Sequence, residues 1–311
     1  MARSTQARYS VDQVVKEIRR ELLGAQGLSA STLDEAMRAV GSGEDAELWL
    51  RPFLAALGYR SSRARKRAAR ALDEILGRSG GEVPVELVAT VADRCLDVME
   101  REEEMDVYEL LLSILERSAL ALKRAGYSDE LARITKVLTK HLNVLYTSPF
   151  GRRIVELLGS IGDRMALHSL VLCLGKHEIR EDASRSLAKA RRKSVPPLLE
   201  TLRTHEDPEV RARIADLLWA MGEDATDLLA AEAVDMRWFV RRNVCHVLAH
   251  LGARRALPLL RRLAEDRDRR VRLAAIRAAG ELVGKGARKI IVDALEDSDV
   301  GVRQEAKSLL A

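Results

Sequence analysis

Two His-Glu dipeptides, His177-Glu178 and His205-Glu206, and the run Cys245-His246 with His250 one helical turn later have the side-chain types that hold metals. Imidazole and carboxylate groups ligate transition metals, and two histidines at i, i+4 on a helix can share one zinc ion. A zincin pattern needs a glutamate after the first histidine, and Val247 stands there. Structural zinc also takes four ligands. The His246/His250 pair therefore reads as an exposed helix face, and no metal or cofactor is expected. The sequence contains no glycine-rich phosphate loop, no nucleophile elbow and no Ser/His/Asp set. A non-enzymatic chain is expected.

Cationic side chains are the other candidates. Arg60, Arg63, Arg65, Lys66, Arg67 and Arg70 form the densest basic cluster. It suits an acidic surface or nucleic acid, or it is a solvated helix face. No aromatic residues interleave it, so stacking on single-stranded bases has no support. The acidic run from Glu100 to Asp106 reads as a solvated helix end. Trp238, in a turn, is either a binding anchor or packing over the next helix pair. Trp49 and Trp219 read as core.

These groups need elements to carry them, and the composition points to helices. Of the 311 residues, 32% are charged and 4% aromatic, and Pro and Gly are few. Long unbranched side chains and alanine lose little freedom in a helix. Formal net charge is +5. Residues 1–149 hold 22 basic and 23 acidic side chains, and the remainder 30 and 24. The excess lies in the second half and is modest for a dedicated nucleic-acid binder. Three scattered cysteines fit a reducing compartment, and the cytoplasm is the expected location. No apolar run approaches the length that spans a bilayer.

The second half repeats itself. Phe150, Ile179, Val210, Val240, Val271 and Val302 recur about every 30 residues. Four positions on stand Ile154, Ala183, Ile214, Val244, Ala275 and Ala306. Eight positions on stand Leu158, Leu187, Leu218, Leu248, Ala279 and Leu310. Offsets of 0, 4 and 8 share one helix face. Gly162, Gly222, Gly252 and Gly284 follow, as in left-handed helix ends, and a second apolar segment comes next. Ser148-Pro149 and Asp207-Pro208 read as N-cap plus first-turn proline. Each unit is thus helix A, turn, helix B, turn. Arg191-Arg192-Lys193 replaces glycine in the second unit. The histidine pairs sit two and five residues before their anchors, out of phase with the repeat.

Asp207-Pro208-Glu209-Val210-Arg211, the segment Asp266 to Arg272 and the segment Asp297 to Arg303 each open a helix. Together they resemble HEAT repeats, notably the bacterial kind grouped with phycobilisome-lyase repeats, over residues 148–311. The opening Trp238 to Asn243 resembles a variant found in large bacterial HEAT proteins. The resemblance implies an all-α, right-handed α-solenoid of helix pairs, with B helices on the concave side. It also implies that Arg180, Arg211, Arg241, Arg272 and Arg303, one after each anchor, tie repeat to repeat through aspartates or carbonyls; the alternative is an arginine strip that binds phosphates or carboxylates. Deoxyhypusine hydroxylase, a HEAT-like enzyme, holds iron with His-Glu pairs, but the dephased pairs here do not match that arrangement. The catalytic pattern of HEAT-like DNA alkylpurine glycosylases is not found either.

Residues 11–147 are expected to hold degenerate helical repeats near 11–23, 32–40, 46–57, 62–77, 84–100, 105–125 and 128–146. They follow a flexible tail at 1–10 and are expected to continue into the repeats at 148–311. Thr32 with Glu35 suggests a capping box. Ser79 to Val83 reads as a loop. The expected function is a scaffold that binds another protein, in particular an acidic segment, through its concave surface. Partner-binding candidates there are Arg203, Arg261, Arg262 and Lys289, joined elsewhere by Trp238, Arg63, Lys66 and Arg67. A nucleic-acid-binding protein with a basic groove is the alternative, and a lyase-type or chaperone-like subunit the third reading. No membrane partner is expected, and the sequence does not set the oligomeric state.

Overall fold

In a computed structural model, residues 2–43, 45–78, 83–251, 253–282 and 284–311 are described. Side chains at 2–12, 203, 223–224, 226–227, 232, 250–251 and 253–255 lie outside that description. The expected loop at 79–82 and Gly252 lie outside it as well. Among the described residues there are helices and turns and no strand. The chain forms two compact units, residues 1–163 and 164–311.

The first unit holds α1 (Ala2–Leu23), α2 (Ala30–Ser42), α3 (Ala46–Ala56), α4 (Ser62–Arg78), α5 (Val85–Met99), α6 (Met105–Ala125), α7 (Ser128–Leu145) and α8 (Pro149–Ile161). Helix α1 runs back to Ala2, through the segment expected as a tail. Helices α2, α4, α6 and α8 pack side by side in one layer, and α1, α3, α5 and α7 in the other. Most of the stability of such helices comes from burying an apolar stripe against neighbours. In α4, Ala64, Ala68 and Leu72 are buried at offsets 0, 4 and 8. In α6, Val107, Leu111 and Leu115 repeat that pattern.

The second unit holds α9 (Arg164–Leu172), α10 (Arg180–Ala190), α11 (Val195–Thr204), α12 (Pro208–Met221), α13 (Glu223–Glu232), α14 (Trp238–Leu251), α15 (Ala253–Ala264), α16 (Arg269–Gly280), α17 (Lys285–Asp293) and α18 (Val300–Leu310). Even-numbered helices form the A layer, where α10, α12, α14, α16 and α18 contact in succession. The B helices α9, α11 and α13 contact in succession, and so do α15 and α17. The repeat register holds. All the anchor residues are buried, and so are the positions four and eight residues on, except half-exposed Leu310.

Trp219 departs from its expected place in the core: 57% of it is exposed, while Leu218 beside it is fully buried. At about 100° per residue, a position nine after the anchor points away from the face shared by positions 0, 4 and 8.

Caps mark the helix starts. Ser148 Oγ accepts from Phe150 N, and Asp207 Oδ1 accepts from Glu209 N at 2.8 Å. Asp268 and Asp299 cap α16 and α18 in the same way. Helix α2 is capped by Ser29, which accepts from Thr32 N, and not by Thr32. The helix begins at Ala30, so Thr32 is already inside the first turn, where it cannot serve as the preceding cap. Gly162 ends α8 in the left-handed conformation, φ 63° and ψ 27°.

Candidate functional site

The arginines after the anchors form a ladder within the second unit. Arg241 Nε and Nη2 donate to the two oxygens of Asp266 at 2.6 and 2.8 Å. Its Nη1 donates back to the Asp235 and Met236 carbonyls at 2.7 and 3.1 Å. Arg272 repeats this one pair later, with Asp297 at 2.8 and 2.9 Å and the Asp266 carbonyl at 2.9 Å. Arg303 Nη1 donates to the Asp297 and Ser298 carbonyls. Arg241 and Arg272 thus each join the turn before their own helix to the turn before the next. Two-pronged pairing of this kind is directional and charge-assisted. Arg272 holds the Asp297 carboxyl below its ordinary range. Burial raises Asp266, yet the Arg241 hydrogen bonds and charge bring it below its ordinary value. Arg180 instead reaches Glu209 at 2.9 Å.

The same device stands unannounced in the first unit. Arg65 donates Nε and Nη2 to Glu102 at 2.7 and 2.8 Å, and Nη1 to the Tyr59 and Arg60 carbonyls at 3.0 Å. Glu102 in turn accepts from Glu104 N, as Asp266 does from Asp268 N. Arg65 follows Ala64 as Arg272 follows Val271, so its spacing to Ala68 and Leu72 carried the signal. Small alanines at anchor positions hid it. The acidic run expected as a solvated helix end is used in pairing: Glu102 is buried against Arg65, Asp106 meets Lys66, and Glu100 meets Lys140 at 3.0 Å.

The basic cluster therefore divides. Arg67 donates to the carbonyls of Glu21, Leu22, Gly24 and Ala25, closing the C-terminal end of α1. Glu21 and Leu22 are in the last turn of α1, whose carbonyls have no donor four residues on within the helix. Lys66 is ion-paired to Asp106. Arg63 is exposed and makes no ion pair among the described residues.

Trp238 lies under the guanidinium of Arg270, 3.4 Å from the ring centroid, with Arg242 at 5.2 Å. Arg270 belongs to the next A helix, so the ring packs across the repeat boundary. Phe239 meets Trp238 edge-on at 6.1 Å. Asp268 is held down to about 2 by hydrogen bonding to Arg270, and Asp235 to about 2 by hydrogen bonding to Arg237.

On the B helices, Arg261 and Arg262 of α15 and Lys289 of α17 are exposed, with exposed Arg288 beside Lys289. None makes an ion pair among the described residues. Because α15 and α17 are neighbours, these cations lie on adjacent helices. Exposed Glu265 and Asp293 are close in sequence. The Arg203 side chain lies outside the described residues.

His177 is exposed, and His205 accepts from Asp207 N at 3.2 Å. No group of three His, Cys, Asp or Glu side chains converges among the described residues, and the His250 side chain lies outside them. Cys173 and Cys245 are buried, which pushes their thiols up to about 11 and about 12. Cys95 is raised further by the same cause. None is a reactive thiolate at neutral pH. Among the described residues no helix is long and apolar enough to cross a membrane.

A family model described as HEAT repeats matches residues 226–311. No curated protein matches the sequence. The crystal structure of Kap121p is similar over 96% of this chain and 37% of its own, with 13% identity and a TM-score of 0.50. This chain thus spans little more than a third of Kap121p. Kap95, in its complex with Nup1, aligns with 13% identity and a TM-score of 0.45 over 98% of this chain and 47% of its own. Human deoxyhypusine hydroxylase aligns over 98% and 97% of the two chains, with 16% identity and a TM-score of 0.29. This all-α chain carries HEAT repeats, matched by sequence over residues 226–311, and its earlier helix pairs alternate between two layers in the same way.

Proposed function

We propose that the chain is a non-catalytic scaffold that binds an acidic segment of another protein along the B-helix face of its second unit. The observation that carries this reading is the set of exposed, unpaired cations on neighbouring helices, Arg261 and Arg262 on α15 and Lys289 on α17. Most other arginines of this unit are engaged in turns and ladder rungs. A stack of helix pairs presents such a row with little ordering cost on binding. Cations so arranged steer an anionic partner and speed its capture.

The test is fluorescence anisotropy with a labelled Glu/Asp-rich peptide, beside single-stranded and duplex DNA of matched charge. The peptide should bind, more weakly as salt rises. Duplex binding that is tighter than peptide binding, with a steep salt slope, would favour a nucleic-acid partner instead.

A further inference from the structure

The arginine ladder skips a rung. Arg241 and Arg272 each fill the Nε/Nη2 side of their guanidinium with the aspartate that opens the next turn. At Arg211 the equivalent aspartate is Asp235, and Asp235 is turned onto Arg237, at 2.9 Å from both Nε and Nη2. Arg211 keeps only the other half of the pattern. Its Nη1 donates to the His205 and Glu206 carbonyls at 2.9 and 2.6 Å. Among the described residues nothing accepts from its Nε or Nη2.

Arg211 borders a cleft of about 320 Å³, lined also by His205, Arg242, Asn243 and His246, with Leu202 and Val247 as its apolar wall. No carboxylate lines it among the described residues. Arg242 brings a second guanidinium to the lining, with no ion pair among the described residues. Its Nη2 donates to Asn243 Oδ1 at 3.3 Å, while its Nε is buried without a hydrogen-bond partner among the described residues. A buried guanidinium N–H without an acceptor is costly, and cations packed without a counter-charge repel one another.

We infer that this cleft binds a phosphate monoester, whose oxygens take the place of the missing ladder carboxylate. Two guanidinium groups balance a dianion, where one carboxylate would neutralise only one of them. The Asn243 amide and the imidazoles of His205 and His246 add donors, and a phosphoryl group has three oxygens to accept from them. The site is built from the end of α11, the turn before α12, the start of α12 and the middle of α14; Arg261, Arg262 and Lys289 do not line it, and it does not depend on them. The phosphoryl group can come on a phosphorylated protein segment or on a small molecule, and the chemistry at the fork is the same.

Calorimetric titration of the full chain with phenyl phosphate and with inorganic phosphate tests this. One saturable site per chain is expected. Asn243→Asp keeps the shape and puts a carboxylate in the cleft, and it should weaken binding about tenfold or more without lowering the melting temperature. Arg242→Gln should do the same. The double reversal Arg261→Glu/Arg262→Glu should leave phosphate binding unaltered even if it abolishes capture of acidic peptide. A phosphoserine peptide that binds tighter than phenyl phosphate points to a protein source, and the reverse order to a small molecule. No saturable binding at tens of millimolar phosphate, on the order of the weakest specific affinities, overturns the assignment. So does acetate binding as tightly as phosphate, or an Asn243→Asp protein that binds like the wild type.

Discussion

Arg191 and Gly222 hold the same turn of successive helix pairs in nearly the same backbone conformation, φ 49° and ψ −128° against φ 61° and ψ −118°. Both stand twelve residues after their anchors, Ile179 and Val210. Glycine enters this region without penalty, and a residue with a Cβ does not. The turn geometry is thus set by the stacking of the pairs, and Arg191 is forced into it. Such a conformation costs a non-glycine residue about 1–3 kcal/mol. Arg191→Gly should stabilise the chain by about 1 kcal/mol, after the extra unfolded-state freedom of glycine is subtracted. Denaturant midpoints check this, and a destabilised variant would mean that the turn is relaxed.

Leu218 and Trp219 test the register as a pair. Leu218 is fully buried, so Leu218→Ala should cost about 2–5 kcal/mol. Trp219 is 57% exposed, so Trp219→Ala should change stability by no more than about 1 kcal/mol. Chemical melts that reversed this order would place the core face of α12 on the wrong side.

The ladder should be coupled energetically. Arg241 and Asp266 are nearly buried, with side chains 5% and 10% exposed. Removing one partner strands the other, and Asp266→Asn alone should cost about 3 kcal/mol. In a cycle with Arg241→Gln, the second substitution should add far less than it does alone. Additive losses, measured by urea unfolding, would mean that the two groups do not act together.

Acid should loosen the second unit. Asp268 and Asp235 lie at about 2 against an ordinary 3.8, and Asp297 is also lowered. Carboxyls depressed in the folded state add stability above their unfolded value, and that contribution is lost as pH falls through the folded value. Stability should therefore hold from neutral pH to about 4 and fall between about 4 and 2. Asp297→Asn should flatten that fall. A melting profile in which Asp297→Asn and wild type lose the same stability over this range would remove the ladder from the explanation.

The helices were legible because their apolar offsets are regular, and the seven helices expected before residue 147 lie close to α1 through α7, except that α1 starts nine residues earlier, at Ala2. The ladder at Arg241 and Arg272 was legible because each arginine follows a buried anchor by one residue. Arg65 was not, because Ala64 and Ala68 are weak markers of a core and its carboxylate partner lies 37 residues on, against 25 for Arg241 and Asp266. Trp219 was misplaced because an aromatic residue beside Leu218 looks apolar in sequence, although nine residues from the anchor turns it outward. The open side of Arg211 could not be read from sequence at all. Asp235 is present where the repeat needs it, but the fold turns it onto Arg237.

The most direct measurement of the scaffold reading is stopped-flow association of the labelled acidic peptide with wild type and with the Arg261→Glu/Arg262→Glu double variant at low salt. Both side chains are exposed and unpaired, so the melting curve should be nearly unchanged. Capture should slow by about tenfold or more, and the difference should shrink as salt is added. Equal association rates for the two proteins at low salt would contradict the assignment of the B-helix face as the binding surface.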